Sequence, residues 1–313
     1  MALATIFVLL LASVPYVVRF DRAAPAAAIA VWFGVLAMRL VAVLLLIVWI
    51  AVYLPATDAF TALTHWCFHT AIPRVATHLG VDGHAVGDIA KIAPFVAVSV
   101  SLVSVSYGLV RASRAVRQFV RRARIGDGPS ESVVVREPRV LVAVAGVTRP
   151  HVIVSSGALQ RLDACELAAG LEHERGHIGR RHQYVLLAAE LCRALARFVP
   201  GTNRAMRELI FHVERDADDW AVRRNHDPAV LASAICKAAL APTTVAPALT
   251  GGEITRRVSL LLADKSRRRL QSGFAGTLAI AFAVISLGLA TTIPSAFASL
   301  PVSSAAAVNS HPC

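Results

Sequence analysis

Two histidines four positions apart, His173 and His177, enclose Glu174 in the stretch Leu171-Glu172-His173-Glu174-Arg175-Gly176-His177. On a helix, side chains four apart share a face, so both imidazoles can reach one metal ion. Glu174 sits next to them, placed to take a proton from a water that the metal activates. Zinc-dependent peptide hydrolysis needs these residue types at this spacing. The bland alternative is a solvated helix face that happens to carry two histidines.

The surroundings weigh against that alternative. A third ligand is offered downstream in His212-Val213-Glu214-Arg215-Asp216-Ala217-Asp218. Glu214 and Asp218 are again four apart, which suits a carboxylate ligand plus an acid that orients a ligand imidazole. His173, His177 and Glu214 are therefore the candidate metal ligands, Glu174 the candidate general base, and Asp218 a partner behind one histidine. His212 and His226 are candidates for a donor that steadies the oxyanion.

These residues need two helices held against each other. Asp163-Ala164-Cys165-Glu166 reads as a capping box, and Leu162, Leu167 and Leu171 give an apolar stripe ahead of the histidines, so a helix is predicted over 163–181. Further helices are predicted over 184–198, 203–224 and 228–240, with a last short one from Arg256 to Leu262 after a loop from Pro242 to Gly252. Before the first helix, Val133–Val135, Val140–Val144 and His151–Val154 are short β-branched runs separated by turn residues. They predict a small sheet, whose edge could hold an extended substrate. Gly126-Asp127-Gly128-Pro129 is read as a linker.

The rest of the chain is too apolar for an ordinary soluble domain. Of 313 residues 56% are hydrophobic and 17% charged, and the mean hydropathy is +0.60. Apolar runs at 1–18, 26–54, 92–110 and 273–293 predict four transmembrane helices. The net charge of +12 is concentrated after the third run, in Arg111, Arg114, Arg117, Arg121, Arg122 and Arg124, and before the fourth, in Lys265, Arg267, Arg268 and Arg269. Both clusters flank the segment 111–272, which places it on the cytoplasmic side, with loop 56–90 and tail 294–313 outside. The arginines can also rest on anionic headgroups. No aromatic interleaving or reader motif accompanies them, so direct nucleic-acid binding is not expected. Arg39 interrupts the second run about 24 Å of helix before Pro55 and is expected to snorkel to the inner surface. His65, His69, His78 and His84 are read as scattered histidines of a loop or a surface-lying helix, although Cys67 and Asp82 lie near them. The five cysteines show no paired spacing; Cys165, Cys192 and Cys236 are expected to be small core residues.

The chain is thus expected to be a mainly α membrane protein: 1–110 a three-span region, 111–272 a cytoplasmic α+β zincin-like domain with a small sheet, and 273–293 a fourth span. That layout, with Arg149-Pro150-His151-Val152-Ile153-Val154-Ser155, Glu166 through Arg181, and Glu214 with Asp218, resembles the integral-membrane zinc metalloproteases of the BlaR/MecR type. The CAAX-protease and HtpX families share the two motifs. The resemblance implies Zn2+ held by His173, His177 and Glu214, Glu174 as general base, Asp218 hydrogen-bonded to a ligand histidine, and a cytoplasmic protein substrate such as a transcriptional repressor. Two departures stand out. His182 occupies a position where relatives often have an acid, and only residues 294–313 follow the fourth span, where such sensors carry a penicillin-binding domain. The rival readings are an HtpX-like quality-control protease and a non-catalytic signalling protein with a structural zinc site.

Overall fold

The computed structural model describes residues 21, 23–48, 83–146, 148–240 and 251–263. The apolar runs at 1–18 and 273–293, the histidines at 65, 69 and 78, and the basic run at 265–269 lie outside the described residues.

The first helix, α1 (Pro25–Val48), begins on a proline, whose fixed φ suits a first helical position. Among the described residues it is the one helix long and apolar enough to cross a membrane. Its first two turns and its middle, however, lie against protein. Trp32, Val35, Leu36, Met38 and Ala42 pack on Ala189, Cys192, Ala205, Met206, Leu209 and Val213. Those partners belong to α5 (His182–Leu195) and α6 (Thr202–Arg223). Arg39 corrects the expectation placed on it: it is 4% exposed and donates from Nη1 to Thr202 Oγ1 at 3.3 Å. The hydroxyl at the start of α6 takes it in, so it does not reach along the helix toward headgroups.

The second helix, α2 (Gly83–Ala123), runs without a break from the end of the 56–90 loop through the third apolar run and into the arginines. Val96, Val100, Val103, Tyr107 and Val110 on it are exposed. It passes directly into β1 (Arg124–Asp127), so the expected linker at 126–129 is a strand end followed by a tight 3-10 turn at Pro129–Glu131.

Strands β2 (Val133–Val135), β3 (Val142–Ala145) and β4 (His151–Ser155) complete a four-stranded sheet in the order β1-β2-β4-β3. β2 runs parallel to β4, with Val133 opposite Ile153, while β3 runs antiparallel to β4, with Val142 opposite Val154. β4 is central and buried from Val152 to Ser155, as its unbroken apolar run requires. The Ser155 hydroxyl ties the connections together. It donates to Arg139 O at 2.5 Å, accepts from Leu141 N at 2.9 Å, and caps the short helix α3 (Ser156–Arg161) by accepting from Ala158 N.

Helix α4 (Ala164–Gly179) carries the HExxH residues and lies on this sheet through Leu171, Val152, Val154 and Leu162. The predicted capping box is present: Asp163 accepts from Glu166 N, and the Glu166 carboxylate accepts from Asp163 N. Helix α7 (Pro228–Ala239) closes the other side, with Lys237 and Ser233 both on the Glu166 carboxylate at 2.6 Å. The final described helix, α8 (Gly251–Leu262), starts within the expected loop and packs through Val258 and Leu261 beside Ala221 and Leu231. Cys192 is buried as expected, but Cys165 and Cys236 are exposed, each on the outward side of its helix.

Candidate metal centre

Helices α4 and α6 cross where two glycines remove the side chains that would hold them apart. A Cβ on Gly176 would lie 3.0 Å from the Trp220 Cβ, and one on Gly179 2.9 Å from the far edge of the same indole. Trp220 donates from Nε1 to Glu172 Oε1 at 3.0 Å, which fixes the crossing with a buried acid.

At the crossing, His173, His177 and Glu214 come together. His173 Nε2 and His177 Nε2 are 3.2 Å apart. Glu214 offers Oε2 to His173 Nε2 and Oε1 to His177 Nε2, each at 3.5 Å. Donors of a four-coordinate zinc site with bonds of about 2.0–2.1 Å stand about 3.3 Å from one another along the tetrahedron's edges. The observed spacings fit such an ion. The chemistry of the donors fits as well. His173 directs Nδ1 at Asp218 Oδ1, 3.0 Å away, leaving Nε2 to face the carboxylate and the other ring. Two ring nitrogens and a carboxylate gathered this closely could hold a metal ion between them.

The electrostatics agree. Burial disfavours charge on His173, but Asp218 and Glu214 outweigh it and raise its pKa to about 9. Without a metal, a proton answers the same demand. Burial lowers His177 to about 3, which keeps that imidazole neutral and able to ligate. Burial lifts the Glu174 carboxyl to about 7, in the range useful to a general base. Helix α4 packs on the outer strand β3, which brings the Val144 backbone near the Glu174 carboxyl.

The feature missed from the sequence is Arg257, on α8. It is 8% exposed and grips Asp218 with two bonds, Nε to Oδ2 and Nη2 to Oδ1, both 2.6 Å. Its Nη1 donates to Glu214 Oε2 at 2.8 Å, and Nη2 lies 3.3 Å from His173 Nε2. Burial alone would raise the two acids; Arg257 holds Asp218 down at about 2 and Glu214 well below the ordinary carboxylate range. The sequence does contain a signal. Ile254, Arg257, Val258 and Leu261 follow helical spacing, so Arg257 falls inside an apolar stripe.

A second partner stands behind His177. Its Nδ1 is 3.0 Å from His182 Nδ1, and His182 Nε2 is 3.2 Å from Asp216 Oδ2. His182 opens α5 after Arg181, which turns the chain with a left-handed φ of 55°. The two oxyanion candidates are not brought to the site. His212 precedes Glu214 by two positions, about 200° around α6, and is fully buried with its Nδ1 on Arg215 and its ring edge-on to Phe211. His226 lies half-buried in the turn after α6, where its backbone N–H donates to Ala221 O.

Compared with known proteins, residues 111–208 match the model of Peptidase family M48. The match spans the sheet, His173, Glu174 and His177, and ends before Glu214, Asp218 and Arg257; it supports a metallopeptidase. No curated protein and no solved structure matches the chain.

Proposed function

We propose that the chain is a zinc-dependent endopeptidase, anchored in the cell membrane by several helices, which cleaves a protein on the cytoplasmic side as a regulatory protease of the BlaR/MecR type does. The observation that carries the peptidase is the convergence of His173 Nε2, His177 Nε2 and the Glu214 carboxylate beside Glu174. The membrane layout is supported by the apolar α1 and by the exposed apolar surface of α2 running into the arginines.

His173, His177 and Glu214 would hold the ion, which supplies Lewis acidity: water becomes a nucleophile near neutral pH and the scissile carbonyl is polarised. Glu174 accepts the proton from the attacking water and returns it to the departing amine. Asp218 fixes the tautomer of His173. Arg257 keeps Asp218 and Glu214 ionised and in place. β3 ends the sheet on the side of Glu174, so an extended peptide can run along it with its backbone held by strand pairing.

The test compares cells carrying the wild type with cells carrying Glu174→Gln by proteomics of cytoplasmic and membrane fractions. One protein, a transcriptional repressor, is expected to persist uncut in the variant. Many membrane-protein fragments disappearing together would favour quality control instead. Identical proteomes, with equal zinc in both purified proteins, would leave a structural site.

A further inference from the structure

We infer that His182, anchored by Asp216, is a positioning residue for the ligand His177, a carboxylate acting through an intervening imidazole. The inference rests on the metal-site reading and adds to it two residues given no role above.

The argument follows the protons. Asp216 is 3% exposed and also lies 3.4 Å from Arg180 Nε, so it is an ionised acceptor. A carboxylate at 3.2 Å requires a hydrogen on His182 Nε2. With its one hydrogen on Nε2, the His182 ring presents a lone pair at Nδ1. That lone pair meets His177 Nδ1 at 3.0 Å, and a bond there requires the hydrogen to sit on His177 Nδ1. The Nε2 lone pair of His177 is thereby freed toward His173 and Glu214. Each link determines the next, so Asp216 sets which nitrogen of His177 can ligate, from one residue away.

The arrangement mirrors the other ligand at greater length. His173 has its acid, Asp218, in direct contact at 3.0 Å. For His177, a second imidazole fills the gap. His182 is 3% exposed, and the rings of His177 and His182 meet at 75° with centroids 5.0 Å apart. The edge-on geometry suits a hydrogen bond and denies His177 rotation about its Cβ. Both acids come from α6, two positions apart, so one helix orients both ligand rings.

The experiment measures zinc affinity of the full chain in detergent, by competition with a chromophoric chelator, for the wild type, His182→Ala, His182→Leu, His182→Asn and Asp216→Asn. The asparagine at 182 can put its amide oxygen near the place of Nδ1 and accept from His177. The expected result is a loss of about 10- to 100-fold for Ala and Leu, a smaller loss for Asp216→Asn, and affinity near wild type for His182→Asn. Cobalt-loaded His182→Leu should also show an altered visible spectrum. Thermal unfolding of the zinc-stripped proteins separates loss of fold from loss of ligand orientation. Affinities within twofold of wild type throughout would overturn the inference alone, as would equal losses for Asn and Leu. A wild type that binds no zinc would overturn the metal site with it.

Discussion

Glu174 and Arg257 bring opposite demands into one buried pocket, and each can be removed separately. Glu174→Gln keeps the shape and removes the proposed base. Its zinc content should equal that of wild type while cleavage falls by at least about 100-fold, the lower end for a general base; metal analysis and a casein-type assay in detergent check both halves. Arg257→Met leaves the buried Asp218 and the half-buried Glu214 beside it without their countercharge. Breaking such a cluster costs about 3–5 kcal/mol, so zinc-stripped Arg257→Met should unfold well below wild type, and added zinc should recover part of the difference. At this scale the sequence was half legible. His173, Glu174 and His177 declare themselves because helical spacing is local, and Glu214 with Asp218 repeats the same spacing. Arg257 and the His182–Asp216 pair become partners only when four helices, α4, α5, α6 and α8, meet, and nothing short-range announces that meeting.

The elements were legible where their boundaries are set by local chemistry. The capping box starts α4 at the expected residue, and the valine runs form the expected strands. β1, the short helix α3 and the early start of α8 were not legible; Arg124 and Asp127 look like the end of a basic helix and a linker, and form a strand because β2 offers an edge. Two predictions belong to the elements. Gly176→Ala drives a methyl against Trp220 and should lower stability by about 1–3 kcal/mol through overpacking, readable as a lower unfolding temperature. Glu166 links the start of α4 to α7 through Lys237 and Ser233, and these bonds lower its pKa from the ordinary 4.5 to about 2. A depressed carboxyl stabilises the fold above its unfolded pKa and ceases to do so as pH falls through the folded one. Wild type should therefore lose stability between about pH 5 and pH 2, and Glu166→Gln should show a shallower decline in thermal scans over that window.

For the whole molecule, the question is which compartment the metal centre faces. Cys165 and Cys236 are exposed on the outward sides of α4 and α7. With the segment 111–272 inside and Cys67 and Cys313 replaced by serine, a membrane-impermeant maleimide should label them in inverted vesicles and leave them unmodified in intact cells. Labelling from outside would reverse the proposed orientation. Composition marks α1 as long and apolar enough to cross a membrane. What composition could not tell is that α1, the most apolar helix described, is partly claimed by the protein itself: pattern reports how greasy a face is, and only the fold decides what covers it.

That sharing has a practical outcome. Arg39 is lodged at the head of α6, Arg215 donates to Ala23 O, and Asp21 pairs with Arg256, the immediate neighbour of Arg257. A fragment trimmed to begin at the arginine-rich segment would lose this clasp. It would bare Leu209, Met206 and Cys192 to water and loosen the support next to Arg257. Such a shortened protein should precipitate, or hydrolyse poorly with His173, His177 and Glu214 all in place, because the helix that covers α5 and α6 is gone.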